Sequence, residues 1–138
     1  MSPIRVLVAE DFAPFRQVVR STLAKRPDLQ IICEVADGRE AVQRAQALGP
    51  EVILLDIGLP TLNGIEAARQ MRELAPESKI VFVSQESDED VVQEALSTGA
   101  DGYVEKTRVV GDLLDAIEAV CDCKQFVSGG LLGGRGDP

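Results

Sequence analysis

The sequence alternates short runs rich in β-branched residues with segments of helical periodicity, and it does so five times. Three of these runs are nearly continuous apolar stretches, which is typical of strands buried on both faces of a parallel sheet. The five strand candidates are Ile4 to Ala9, Ile31 to Val35, Val52 to Asp56, Lys79 to Ser84 and Gly102 to Val104. Because neighbouring parallel strands need a crossover between them, the alternation predicts an α/β fold.

The segments between the strands carry apolar residues at spacings of three and four, which gives each helix one narrow apolar stripe. The first apolar positions of the five helix candidates are Phe15, Ala41, Ile65, Val91 and Val110. With right-handed crossovers, these units predict a doubly wound, five-stranded parallel sheet with five helices on its two faces. In such sheets the functional crevice lies at the carboxyl ends of the strands.

The length of 138 residues leaves room for one ordinary domain. We expect that domain to occupy residues 1–123, and residues 124–138 to form a flexible tail or a truncated linker, because five glycines fall between Ser128 and Pro138. The sequence contains neither a signal pattern nor an apolar run long enough to span a bilayer, which predicts a cytoplasmic protein without a membrane contact.

Charge and residue usage exclude several function classes. Lys and Arg number 14 against 23 Asp and Glu, so the formal net charge is −9 and direct nucleic-acid binding is disfavoured. The chain has no His, which removes His-based general bases and His metal ligands. Cys121 and Cys123 form a C-x-C pair without further Cys or His ligands, so we expect reduced thiols rather than a zinc site.

Chemically active residue types stand at the ends of four predicted strands: Glu10 and Asp11, Asp56, Ser84 and Lys106. Three carboxylates in one crevice repel each other, and a divalent cation such as Mg²⁺, which prefers oxygen ligands, relieves that repulsion. Each residue alone has a simpler explanation. The acid pair is also typical of a helix N-terminus. An Asp such as Asp56 is typical of a turn, and a Lys such as Lys106 usually lies on a solvated surface.

Four segments taken together resemble response-regulator receiver domains: Val8-Ala9-Glu10-Asp11, Leu54-Leu55-Asp56-Ile57-Gly58-Leu59-Pro60, Asn63-Gly64 and Gly99-Ala100-Asp101-Gly102-Tyr103-Val104-Glu105-Lys106. The resemblance covers roughly residues 4–122 in order and spacing, and it implies a flavodoxin-like receiver fold. It is strongest to the LuxR/NarL-type branch, whose members often carry a helix-turn-helix output domain. No such domain follows here, which fits a stand-alone regulator and a truncated chain equally well.

The resemblance implies a role for each residue of the crevice. Asp56 matches the aspartate that receives a phosphoryl group from a histidine kinase or a phosphotransfer protein. Glu10 and Asp11 match the acids that hold Mg²⁺ or Mn²⁺, with Asp56 and the backbone carbonyl of Gly58 as further ligands. Lys106 matches the lysine that pairs with the phosphoryl group. Such a domain catalyses only its own phosphorylation and dephosphorylation, and is not an enzyme acting on separate metabolites.

The resemblance also implies a conformational switch. Ser84 matches the hydroxyl that responds to phosphorylation, and Tyr103 the aromatic side chain that then packs inward. Output would pass to a downstream protein target or to a DNA-binding domain, and a homodimer is left open. The simpler explanation of Tyr103 is a half-buried strand aromatic with its hydroxyl in water.

Two other functions compete with this interpretation. A Mg²⁺-dependent phosphohydrolase of the haloacid-dehalogenase kind also uses an Asp nucleophile, but needs a second Asp two residues later, where this chain has Gly58. A receiver-like module that binds partners without being phosphorylated is the second rival. The chain also departs from many receivers in having Thr107, not Pro, after Lys106, and we predict a trans bond there because a cis non-proline bond costs about 2.5–4 kcal/mol.

Overall fold

The computed structural model describes residues 3–129 and residue 131, and these form one α/β unit. Its strands are β1 Ile4–Ala9, β2 Leu29–Val35, β3 Val52–Leu55, β4 Lys79–Ser84, β5 Gly102–Glu105 and β6 Phe126–Val127. Its helices are α1 Ala13–Leu23, α2 Gly38–Leu48, α3 Gly64–Leu74, α4 Glu89–Ser97 and α5 Val109–Cys121, with a single 3₁₀ turn, Lys106–Arg108, before α5.

The six strands form one parallel sheet in the order β2-β1-β3-β4-β5-β6. The chain reverses its direction of travel at β1, which lies between β2 and β3, so this is the doubly wound arrangement and the predicted fold class is confirmed. At such a reversal the carboxyl ends of the neighbouring strands open a crevice between their loops. The acids that follow β1 and β3 lie at that crevice.

Apolar residues alternate between the two faces of the sheet. In β3, Ile53 and Leu55 belong to the core under α2, α3 and α4, whereas Val52 and Leu54 belong to the core under α1 and α5. Because both faces are covered, each of these four side chains is removed from water, which is worth about 1.5–3 kcal/mol apiece. The double coverage explains why the strand appears in the sequence as an uninterrupted apolar run.

The sixth strand differs from the sequence prediction of five. Phe126 and Val127 pair with β5 after α5 has crossed the face that it shares with α1. Since α4 and α5 make crossovers in the same direction on opposite faces, the two crossovers have opposite hands. There are two reasons why the sequence did not predict this strand. The preference for right-handed crossovers argues against a further parallel strand beside β5, and a run of two residues is too short to show a periodicity.

Short polar residues begin three of the helices. Asp37, Asn63 and Asp88 are the N-caps of α2, α3 and α4, and the side chain of each accepts backbone N–H groups of the first turn. Such caps contribute about 1 kcal/mol each. At α1 the N-cap is Phe12, which makes no side-chain cap hydrogen bond; its N–H instead donates to Glu10 Oε2 at 3.0 Å.

Two smaller sequence predictions concern the chain ends and the backbone. The peptide bond between Lys106 and Thr107 is trans, as predicted, since the described residues include no cis bond. Within those residues, no helix has both the length and the apolar character needed to cross a membrane. Of the predicted tail, residues 126–128 join the sheet edge, while residue 130 and residues 132–138 lie outside the described residues.

Candidate functional site

Three carboxylates meet at the carboxyl ends of β1 and β3. Glu10 and Asp11 follow β1, Asp56 follows β3, and the Asp56 N–H donates to the Ala9 carbonyl at 3.1 Å. One carboxylate oxygen from each acid lies within 4.8 Å of the others. Glu10 and Asp56 are buried and Asp11 is exposed, so the cluster has one side open to water.

Lys106 supplies the cation of the cluster. Its Nζ lies 2.9 Å from Glu10 Oε1 and 3.3 Å from Asp56 Oδ2, and it also lies 4.6 Å from the centroid of the Phe15 ring. The aromatic face attracts the ammonium and shields it from water, which fixes its direction towards the acids. One ammonium among three carboxylates leaves the cluster net negative.

Burial affects the titration of Glu10. Its carboxyl group is almost entirely removed from water, and this desolvation raises its pKa above the ordinary value. The hydrogen bond from Lys106 opposes the shift, and the neighbouring Asp56 carboxylate reinforces it. Bringing a further cation to the cluster favours the ionised form of such an acid.

Ser84 and Tyr103 are joined through the backbone of one residue. The Glu86 N–H donates to Ser84 Oγ at 3.1 Å, and the Tyr103 hydroxyl donates to the Glu86 carbonyl at 2.8 Å. The Tyr103 ring is 0% exposed and lies 6.1 Å from the ring of Phe82, centroid to centroid. Burial raises the pKa of Tyr103 to about 12. The alternative of a half-buried ring with its hydroxyl in water is therefore wrong, and the ring is packed inward in this structure.

A cavity of about 380 Å³ opens above the acids, and six of the residues singled out in the sequence line it: Glu10, Asp11, Asp56, Gly58, Ser84 and Lys106. Tyr103 does not line it. Four further lining residues were not assigned to the site from the sequence: Phe12, Ile57, Gln85 and Glu86. Phe12 directly follows the acid pair and Glu86 stands two residues after Ser84, so a search of the loops after each strand would have found both.

The residues present fit a divalent cation. All three side-chain donors are carboxylate oxygens, the hard ligands that Mg²⁺ and Mn²⁺ prefer. One oxygen from each acid lies within 4.8 Å of the others, so the three carboxylates could serve one ion together. Gly58 lines the same cavity and is exposed.

Comparison with known families gives one clear match. Residues 6–118 match the response regulator receiver domain, a span that is most of the chain and includes all of the residues that line the cavity. The transcriptional regulatory protein DegU of Brevibacillus brevis is 34% identical over 124 residues, which are 90% of this chain and 52% of that protein. The nitrate/nitrite response regulator NarL of Escherichia coli K12 is 32% identical over 129 residues, 94% of this chain and 60% of that protein. The chain thus spans a little over half the length of these relatives.

Solved structures agree with this match. A two-component response regulator of the LuxR family from Aurantimonas sp. SI85-9A1 superposes with a TM-score of 0.89 at 28% identity, covering 94% of this chain and 93% of that one. The response regulator domain of Thermotoga maritima CheB superposes with a TM-score of 0.78 at 34% identity, covering 84% and 94%. Given the matched fold, the matched sequence span and the acids at its carboxyl edge, this chain belongs to the response regulator receiver domain family.

Proposed function

We propose that this receiver accepts a phosphoryl group on Asp56 from a histidine kinase or a phosphotransfer protein. The observation that carries the proposal is the contact of the Asp56 carboxylate with the Lys106 ammonium, 3.3 Å apart, beside two further acids in one open cavity. A carboxylate buried at the end of an apolar strand needs such a partner, and the cavity leaves its outer side accessible to a donor. The relatives are response regulators, which fits this role.

The transfer would be an in-line displacement at phosphorus. An oxygen of Asp56 forms the new P–O bond while the P–N bond of the donor phosphohistidine breaks, and the departing imidazole nitrogen takes a proton. Lys106 stands within reach of the phosphoryl oxygens and balances their charge. Bound Mg²⁺ or Mn²⁺, held by Glu10, Asp11, Asp56 and the Gly58 carbonyl, would neutralise charge on the transferred group. The same chain would also catalyse the slow hydrolysis of its acyl phosphate, without acting on separate metabolites.

The response to phosphorylation would pass through Ser84 and Lys106. New phosphoryl oxygens attract both side chains, and each belongs to a loop connected to Tyr103: Ser84 through Glu86, and Lys106 through β5. A local change of charge would thereby reshape the surface of α4, β5 and α5. The Tyr103 ring is packed inward in this structure, the position that the switch would favour after phosphorylation.

Partners and location follow from the same role. The acidic chain would control a downstream protein, or an output domain in a longer protein, and would not bind nucleic acid itself. We place it in the cytoplasm, where it meets the kinase. A homodimer is one form in which the output can be delivered, and light scattering with and without beryllofluoride, a phosphoryl mimic, tests it.

Intact-mass spectrometry after incubation with acetyl phosphate and Mg²⁺ tests the proposal. We expect a gain of about 80 Da, one phosphoryl group, in the wild type. The gain should disappear with EDTA and in Asp56→Asn, whose amide is not a nucleophile. The control is Asp122→Asn, because Asp122 is exposed. Asp101→Asn would be less suitable, since the Asp101 carboxylate accepts a hydrogen bond from the Ile80 N–H.

Two results would contradict the proposal. A wild-type chain that binds Mg²⁺ but gains no mass from acetyl phosphate or from a histidine kinase would favour the phosphorylation-independent interaction module. Repeated turnover of a generic phosphate ester that depends on Asp56 would favour the phosphohydrolase.

A further inference from the structure

The last strand connects the C-terminal part of the described chain to β5, the strand that carries Tyr103 and leads into Lys106. β6 pairs with β5 along Phe126–Val127, and the Ser128 N–H extends the ladder by donating to the Tyr103 carbonyl at 2.9 Å. This edge of the sheet is therefore covered by the chain itself. Any shift of β5 has to be shared by the segment that pairs with it.

The side chain of Ser128 makes a second connection. It is only 1% exposed, and its Oγ accepts the Glu105 N–H and donates to Asp112 Oδ2, each at 3.0 Å. Asp112 lies in α5 and also accepts a hydrogen bond from Arg108 Nε at 3.0 Å. One hydroxyl thus joins the end of β5 to the first turn of α5.

The two groups that Ser128 joins stand on either side of the 3₁₀ turn Lys106–Arg108. Glu105 directly precedes Lys106, and Asp112 follows the turn by one helical turn. The turn has no side-chain cap hydrogen bond at its own N-terminus and is exposed at Thr107 and Arg108. Its position therefore depends on these flanking contacts, and its first residue carries the ammonium that reaches Asp56 and Glu10.

We propose that Ser128 is a positioning residue for phosphoryl transfer, because it clamps the turn that presents Lys106 to Asp56. The inference rests on the proposed role of Asp56 as phosphoacceptor. A charge stabilises a transition state best when it is held in place beforehand, and small displacements of such a group lower the rate strongly. Coupling between two sites is reciprocal. A group that binds Lys106 should therefore also change the strength of the Ser128 contacts.

The experiment compares Ser128→Ala with Ser78→Ala, a matched removal of a buried hydroxyl. Ser78 Oγ donates to the Pro50 carbonyl at 2.6 Å at the amino ends of the strands, on the opposite edge of the sheet from the acids. Ser78→Ala loses one buried hydrogen bond and Ser128→Ala loses two, so thermal unfolding is measured for both variants to separate loss of stability from loss of rate. Asp112→Ala removes the other end of the clamp and serves as a second test.

Three quantities are measured for each variant: the rate of mass gain from acetyl phosphate, Mg²⁺ affinity by calorimetry, and amide hydrogen exchange over residues 103–106. For Ser128→Ala and Asp112→Ala we expect a rate about tenfold lower and faster exchange. Their Mg²⁺ affinity should change much less than the rate, since the proposed metal-binding acids follow β1 and β3 and do not contact Ser128 or Asp112. Ser78→Ala should match the wild type in all three.

The outcomes separate this inference from the proposed function. A wild type that gains no mass from acetyl phosphate or from a histidine kinase would overturn both. A wild type that is phosphorylated, with Ser128→Ala equally fast, would overturn the clamp alone. Equal slowing in Ser128→Ala and Ser78→Ala would assign the effect to general loss of stability and would also overturn it.

Discussion

An ideal Cβ atom on Gly64 would overlap the carbonyl oxygen of Asp56 and lie 2.8 Å from its carbonyl carbon. The Gly64 N–H donates to the Ile57 carbonyl at 2.7 Å, so α3 begins directly against the backbone that carries the proposed phosphoacceptor. Gly38, the first residue of α2, stands in the same relation to the Leu62 carbonyl. The first residues of α2 and α3 therefore both pack against the loop between β3 and α3. Each can approach it so closely only because Gly38 and Gly64 have no Cβ atom.

Gly64→Ala should destabilise the protein by about 1–3 kcal/mol, because the added methyl group must displace the Asp56 backbone. The same displacement should lower the rate of phosphorylation. Gly111→Ala is the control, since the added Cβ in α5 would meet no atom within 4 Å outside the backbone of its own helix, and alanine there should stabilise the helix by about 0.5–1 kcal/mol. Urea unfolding and the rate of mass gain check both. A Gly64→Ala variant as stable as the wild type would contradict the close approach.

Replacing Lys106 should change metal binding and phosphoryl transfer in opposite directions. Lys106→Met removes the ammonium from Glu10 and Asp56, so the acids attract Mg²⁺ more strongly and its dissociation constant should fall. The phosphoryl group loses its partner, and the rate of transfer should fall by about 100-fold. Calorimetry and intact-mass kinetics measure the two effects, with Lys25→Met at the exposed end of α1 as control. Weaker Mg²⁺ binding in Lys106→Met would contradict the arrangement.

Mg²⁺ should stabilise the folded chain through the acid cluster. At a free concentration about 100 times the dissociation constant, binding to the native state alone adds about 2.7 kcal/mol and raises Tm. Asp11 is exposed and repels the other two acids, so Asp11→Asn should not lower the metal-free Tm but should remove most of the increase. Thermal unfolding with and without Mg²⁺ tests this, and Asp122→Asn should behave as the wild type. An undiminished increase in Asp11→Asn would remove Asp11 from the ligand set.

The phenol of Tyr103 should ionise near pH 12 in the folded protein, against about 10 in the unfolded chain. Since the chain has one Tyr and no Trp, absorbance of the phenolate reports this residue alone. The raised pKa means that the folded state binds the proton more tightly. Its contribution to stability is therefore complete below pH 10 and is lost as the pH rises from about 10 to about 12. A titration midpoint near 10 without unfolding would show the hydroxyl to be solvated.

The local pattern of the sequence was sufficient to predict the central strands and the types of residue that follow them. Val52 to Leu55 form an apolar run that only a doubly covered strand accommodates, and Asp56 directly follows it. The Phe126–Val127 strand was not predictable in this way. The strand has only two residues. Its stability comes from pairing with β5 and from the hydrogen bond between Ser128 and Glu105, and these partners are far from it in the sequence.

Apolar periodicity along the chain is enough to predict where the strands end, and therefore that carboxylates, a hydroxyl and an ammonium stand after successive strands. Which of these groups touch depends on how the folded chain packs its strands together. Lys106 reaches Glu10 and Asp56 because the sheet order places β3 beside β1 and β4 between β3 and β5. Likewise, Gly64 abuts Asp56 because of how α3 packs on the sheet. Such contacts arise from the free energy of packing distant segments together, and no periodicity within a single segment encodes them.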